Sequence, residues 1–217
     1  MNITTTHVGG GHFEFISPLN PGNTFVLSQT FKIIPYFEKF LIDEQFDLLI
    51  EIGTYKGGLT ILLDEIKKSN DLKVDIHTID IGIWDEGQFS TVLEAFNERQ
   101  VTFHKVDIFS EEGKSLISKF LKDTKLKVCV LCDGGNKIEE FNYFSQFIKQ
   151  GDFIMAHDYN HNSDNVDGLT YECSWGWQEI NYTDISQAVL QNNLQMNTEI
   201  RFPEVAWACY RKVQNIR

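Results

Sequence analysis

Six residues in the middle of this 217-residue chain have the types and the spacing to do chemistry. Glu51, Asp80, Asp107, Asp133, His157 and Asp158 each lie at or just past the end of an apolar run. Carboxylates in such places accept hydrogen bonds from ribose hydroxyls or supply hard oxygens to a divalent cation. An imidazole beside them adds a nitrogen ligand, or a base that works near neutral pH. One acid at the end of one run says little. Five successive runs that all end this way gather the acids at one edge of a sheet, where ligands of open α/β folds bind.

The elements that must hold these residues follow from the pattern. Apolar runs at 47–52, 74–79, 101–106, 127–131 and 152–156 read as buried strands. Between them, apolar residues at helical spacing predict helices over 59–67, 89–96, 110–121 and 138–148. This alternation is the mark of βαβ units and a parallel sheet. A further helix is expected at 185–194, then two closing strands at 195–201 and 205–211 with a turn at Phe202-Pro203-Glu204. Residues 24–41 have a helical pattern, whereas 1–21 are rich in Gly and Thr and show no period. The division expected is an N-terminal arm and helix at 1–46, able to act as a lid, and a catalytic domain at 47–217. The long polar stretch 158–184 exceeds ordinary loop length and is expected to form an acidic, aromatic cap. Gly9-Gly10-Gly11-His12 would let the arm close over the site.

The first strand runs into Glu51-Ile52-Gly53-Thr54-Tyr55-Lys56-Gly57-Gly58. Glycines between a strand and a helix let backbone approach a ligand closely. The loop is not the G-x-G-x-x-G of dinucleotide folds. Its E-x-G-x-x-x-G pattern resembles the first motif of class I S-adenosylmethionine-dependent methyltransferases. That cofactor has no pyrophosphate and carries a cationic sulfonium and an ammonium, which suit an acidic strand end. Asp80, 27 residues after Gly53, stands where a carboxylate meets the ribose, and Asp107 where such enzymes hold the adenine amine. An acid near a helix start is the plainer reading of Asp107.

The stretch from Val128 to Tyr159 carries Asp133-Gly134-Gly135-Asn136-Lys137 after the fourth strand and His157-Asp158 after the fifth. It resembles the metal-dependent O-methyltransferase branch, which includes catechol, macrocin and cephalosporin-hydroxylase-like families. The resemblance spans about residues 25–160 and implies a seven-stranded, mostly parallel Rossmann-like sandwich whose last strand is antiparallel. It implies transfer of a methyl group from S-adenosylmethionine to a small-molecule hydroxyl. Glu51, Gly53, Tyr55, Gly57, Asp80, Asp107 and Asp133 would hold the cofactor. Asp133, His157 and Asp158 would hold Mg²⁺ or another divalent cation. The chain departs from the pattern at His157, where an acid is commoner, and a polar turn is the alternative there. Lys137 follows Asp133 one residue later than the catechol-branch lysine that acts as base; His157 and His161 are the other candidates.

Composition narrows the partners. The net charge is −12, and between Lys149 and Arg201 there are eight acids and no Lys or Arg. Such a balance argues against nucleic acid and against anionic lipid. It favours a neutral or cationic acceptor, walled by the cap aromatics Tyr159, Tyr171, Trp175, Trp177 and Tyr182 unless these only form the core of the cap. No secretory signal is visible and no apolar stretch approaches a membrane span, so a cytoplasmic location is expected. Cys129 and Cys132 have C-x-x-C spacing inside an apolar run, and buried strand thiols are the better reading than a zinc ribbon. Two rivals share these features: a Rossmann-type NAD-dependent oxidoreductase, and a non-catalytic protein that kept the cofactor fold. Oligomeric state and the identity of the acceptor stay open.

Overall fold

A computed structural model describes residues 3–9, 12–18, 22–82, 86–163, 170–173 and 175–214, with the backbone alone at 86–89. In chain order the elements are β1 (Thr4–Gly9), β2 (His12–Ile16), β3 (Thr24–Leu27), α1 (Ile33–Glu44), β4 (Leu48–Ile52), α2 (Gly58–Ser69), β5 (Asp75–Asp80) and α3 (Glu86–Arg99). Then come β6 (Thr102–Lys105), α4 (Glu111–Lys122), β7 (Val128–Cys132), α5 (Lys137–Phe144), β8 (Phe153–His157) and β9 (Tyr159–Asn160). The chain closes with β10 (Ile180–Asn181), α6 (Tyr182–Gln191), β11 (Leu194–Met196) and β12 (Trp207–Lys212).

The main sheet has seven strands in the order β11-β12-β8-β7-β4-β5-β6. β8, β7, β4, β5 and β6 are parallel, and β12 runs antiparallel to both of its neighbours. This is the expected seven-stranded α/β sandwich with an antiparallel last strand. Every residue of β4, β7 and β8 is buried, because helices cover both faces of these central strands. Alternate strand residues feed two cores. Leu49, Leu131 and Met155 pack with α1, α2 and α3, whereas Ile50, Val130 and Ile154 pack with α4, α5 and α6.

The same alternation settles the C-x-x-C pair. Cys129 belongs to one core and Cys132 to the other, since an odd separation along a strand points side chains to opposite faces. Both thiols are free and buried, as expected of strand residues, and burial pushes each well above the ordinary range.

The N-terminal region differs from the expectation. Residues 24–27 are a strand and not the start of a helix; β1, β2 and β3 form an antiparallel sheet in that order. In Thr24-Phe25-Val26-Leu27 the buried Phe25 and Leu27 alternate with the exposed Thr24 and half-buried Val26, a period of two that the apolar residues farther on disguise as a helical one. The helix begins only at Ile33, with Pro35 in its first turn, where a missing N–H costs nothing. Phe15, Phe25 and Leu27 join the core beneath α2. Gly58, the first residue of α2, makes this docking possible: a Cβ there would lie 2.0 Å from the Val26 carbonyl oxygen.

Other boundaries shift as local capping dictates. α6 starts at Tyr182, three residues before the expected start, because Asn181 and Asp184 form a reciprocal capping box. The expected strand at 195–201 shortens to β11, and a 3-10 turn at Phe202–Val205 leads into β12. In the cap, β9 pairs with β10 in parallel, and residues 164–169 and 174 lie outside the described residues. No described helix is long and apolar enough to cross a membrane.

Candidate active site

The carboxyl ends of β4 to β8 open into a cavity of about 890 Å³. That is near the upper end of the ~300–1,000 Å³ typical of small-molecule sites, enough for a nucleoside and a second small molecule. Of the residues expected to act, Gly53, Tyr55, Asp80, Asp107, Asp133, Lys137, His157 and Asp158 line it. His12 and Ser28 of the N-terminal segment, Glu140 of α5, and Trp175, Trp177 and Glu179 of the cap also line it. His12 hydrogen-bonds Ser28 at 3.0 Å and stacks near Tyr55, with ring centroids 6.2 Å apart.

Two expected cofactor contacts lie elsewhere. Glu51 is buried under the loop, where its carboxylate accepts hydrogen bonds from Thr60 and Thr78, and it does not line the cavity. Burial raises its pKa to about 8, against the opposing pull of those two hydroxyls. Gly57 is the N-cap of α2, with a positive φ of 73°, and faces Val92 and Phe96 and not the cavity. Both residues shape the loop from behind. Gly53 has a more direct part: at φ 92°, a Cβ on it would sit 2.3 Å from the Asp133 carbonyl oxygen. The absent side chain lets the ends of β4 and β7 meet, joined by the hydrogen bond from Asp133 N–H to the Ile52 carbonyl at 2.9 Å.

Asp80 is oriented by backbone. One carboxylate oxygen accepts from Tyr55 N–H at 3.1 Å and the other from Gly82 N–H at 2.9 Å. A carboxylate held in place by backbone in this way, on the wall of the cavity, suits recognition of adjacent hydroxyls. Asp107 spends one oxygen on Phe109 N–H at 2.9 Å and lines the cavity. It therefore serves the turn before α4 as well as the wall.

Asp133, His157 and Asp158 each offer a ligand atom, and these atoms all lie within 4.8 Å of one another. His157 Nδ1 stands 3.0 Å from Asp133 Oδ1 and 3.4 Å from Asp158 Oδ1. Separations near 3 Å suit adjacent donors around a cation bound at about 2.1 Å, so the three residues fit a divalent ion. Asp158 reaches the cluster because its backbone turns sharply at φ 59° directly after β8. Trp175 Nε1–H donates to its Oδ1 at 2.6 Å, which pins the cap to the cluster.

Without an ion, ionised carboxylates can only accept, so the Nδ1–H tautomer of His157 is the one assigned by the hydrogen-bond network. Its Nε2 is buried with no hydrogen-bond partner among the described residues.

Lys137 is not a free amine. Its Nζ lies 3.0 Å from Asp158 Oδ2, 2.8 Å from Glu179 Oε2 and 3.1 Å from the Gly134 carbonyl, with Asp133 Oδ1 at 4.0 Å. Burial alone would favour the neutral amine, but the surrounding carboxylates outweigh it and hold the ammonium well above its ordinary pKa. The expected base is thus, in this arrangement, a cation set among acids. Beneath the loop Glu140 accepts from Gly134 and Asn136 N–H, and burial raises its pKa to about 7.

The sequence reading missed Gln29, Glu140 and Glu179. Glu179 lies two residues past Trp177, whose indole donates to it at 2.7 Å. No local pattern marks Gln29. His161 is buried against Tyr159 and Tyr171 and does not line the cavity.

No family model matches the chain, and no curated protein sequence matches it significantly. Solved structures do. The apo structure of CmcI superposes with a TM-score of 0.59 at 11% identity, over 87% of this chain and 73% of that one. CmcI with Mg-SAM gives 0.56 at 11% identity, over 85% and 73%. An O-methyltransferase family protein from Burkholderia thailandensis gives 0.54 at 8% identity, over 85% of this chain and 56% of that one. The chain has the Rossmann-like fold of methyltransferases.

Proposed function

We propose that this protein transfers a methyl group from S-adenosylmethionine to a hydroxyl of a small neutral or cationic acceptor, with a divalent cation, Mg²⁺ or a relative, held by Asp133, His157 and Asp158. The observation that carries the reading is the placement of a backbone-oriented carboxylate, Asp80, and the Asp133–His157–Asp158 cluster on one cavity. The likeness in fold to CmcI, solved with Mg-SAM, supports it. A dinucleotide is disfavoured because the loop after β4 lacks the second glycine that admits a pyrophosphate.

In this reading the cofactor supplies an electrophilic methyl group on sulfur, and the ion lowers the pKa of the acceptor hydroxyl. The protein contributes position. Asp80 and Asp107 orient the nucleoside, the loop from Gly53 to Tyr55 brings backbone close, and the cap excludes water. Bound there, the cofactor would give up its methyl group to the acceptor oxygen, with S-adenosylhomocysteine and the hydroxyl proton as the other products.

His157 cannot serve as ligand and base together, since a neutral imidazole bound through Nδ1 carries its proton on Nε2. In a second reading the His157 imidazole takes the acceptor proton without any ion; Nε2 is buried in the structure, so the ring would have to turn from the position that Asp133 holds through Nδ1–H.

Titration calorimetry separates the alternatives. S-adenosylhomocysteine should bind and NADH should not; the reverse result would make the chain an oxidoreductase. Methyl transfer that survives exhaustive chelation, but not His157→Ala, would choose the imidazole base over the ion.

A further inference from the structure

Gln29 is 1% exposed, comes from the segment between β3 and α1, and reaches Asp133 of the cluster through its side-chain amide. Its side chain bridges two groups. Trp207 Nε1–H of β12 donates to Gln29 Oε1 at 2.8 Å, and Gln29 Nε2 donates to Asp133 Oδ2 at 2.6 Å. An indole N–H can only donate. It therefore fixes which end of the amide is oxygen, and the NH₂ end must face the carboxylate. With Oδ2 taken up by Gln29, Oδ1 is the oxygen turned toward His157 Nδ1. The other side of the ring is braced too, since Trp207 packs on the His157 ring with centroids 5.0 Å apart.

We infer that Gln29 is a positioning residue for the ion: its amide, locked by Trp207, holds Asp133 so that Oδ1 is presented beside His157. The inference rests on the metal-assisted reading above. It assigns to the N-terminal segment a part in the chemistry, because Asp133 directly follows β7 and Trp207 opens β12, whereas the amide that joins them comes from the segment before α1. Outer partners of this kind commonly set metal affinity within a factor of 10 to 100.

The test is a Mn²⁺ titration followed by electron paramagnetic resonance on the full chain, with S-adenosylhomocysteine affinity and a thermal melt measured in parallel. Gln29→Met keeps the volume and removes both hydrogen bonds. Gln29→Asn keeps an amide that is too short to span Trp207 and Asp133. Both variants should weaken Mn²⁺ binding about 10- to 100-fold, with S-adenosylhomocysteine affinity unchanged within about twofold. A merely structural role would lower the melting temperature and leave the Mn²⁺ dissociation constant of folded protein where it was. Retention of Mn²⁺ affinity within about threefold in either folded variant would overturn the inference while leaving the metal site in place. If the unsubstituted protein binds S-adenosylhomocysteine but neither Mn²⁺ nor Mg²⁺, the metal reading falls and the role of Gln29 falls with it.

Discussion

Lys137 and Glu51 show how burial and neighbours decide what a titratable group can do. Lys137 is an ammonium among three carboxylates, with 8% of its side chain exposed. A divalent ion placed at Asp133 and Asp158 would compete with it for the same oxygens. Removing the lysine leaves acids unpaired, which typically costs about 3–5 kcal/mol at a buried site; Glu179, 40% exposed, keeps water and lowers that figure. Lys137→Met should therefore melt earlier than the unsubstituted protein in chelator, and Mn²⁺ should restore more stability to the variant than it adds to the parent. Melts with and without Mn²⁺ check this.

Glu51 has the opposite problem, an acid buried with hydroxyl donors only. Its folded pKa of about 8 lies above the ordinary 4.5, so the folded state holds a proton that the unfolded state releases. Stability from this group is full below about 4.5 and is lost as pH rises through about 8. Glu51→Gln should flatten the fall in melting temperature between pH 5 and pH 9, about those bounds, relative to the parent. An unchanged slope would mean that Glu51 is ionised in the folded protein.

At the scale of elements, the contact between β3 and α2 joins the N-terminal sheet to the cofactor fold. Gly58 is the pivot, and two effects oppose each other there. Alanine in place of glycine favours a helix by about 1 kcal/mol. A Cβ set 2.0 Å from the Val26 carbonyl must push backbone aside, and overpacking of that kind costs about 1–3 kcal/mol. Backbone yields less readily than side chain, so the second effect should win. Gly58→Ala should speed amide exchange in β2 and β3 while α4, α5 and β7 keep their protection, as hydrogen-exchange mass spectrometry would show. The buried pairing of Arg99 with Asp64 and Glu65 secures the same junction through Ser17, which Arg99 also contacts.

Over the whole molecule, the net charge of −12 has a location. Among the described residues that line the cavity, Asp80, Asp107, Asp133, Glu140, Asp158 and Glu179 face a single lysine or arginine, Lys137. Asp164 and Asp167 of the acidic stretch lie outside the described residues. Such a field draws cations and repels anions. For any hydroxyl acceptor that is turned over, a phosphorylated analogue should lose about tenfold or more in kcat/KM, and the gap should narrow as salt rises, because screening shortens the reach of the field. Steady-state rates at two ionic strengths test this.

The parallel strands, their order along the chain and the acids at their ends are legible in the sequence, because buried apolar runs and the residues that stop them are local signals. The sequence located Asp80, Asp133, His157 and Asp158 on one edge for the same reason. It could not show the N-terminal sheet: half of β1 and β2 is exposed, and the sheet gains its core only by docking on α2. Nor could it show that Glu51 sits beneath the loop, that Lys137 is paired with acids, or that Gln29, 104 residues before Asp133, orients it. Those facts depend on which side chains meet across long separations in sequence, and only the closed tertiary structure brings them within hydrogen-bond reach.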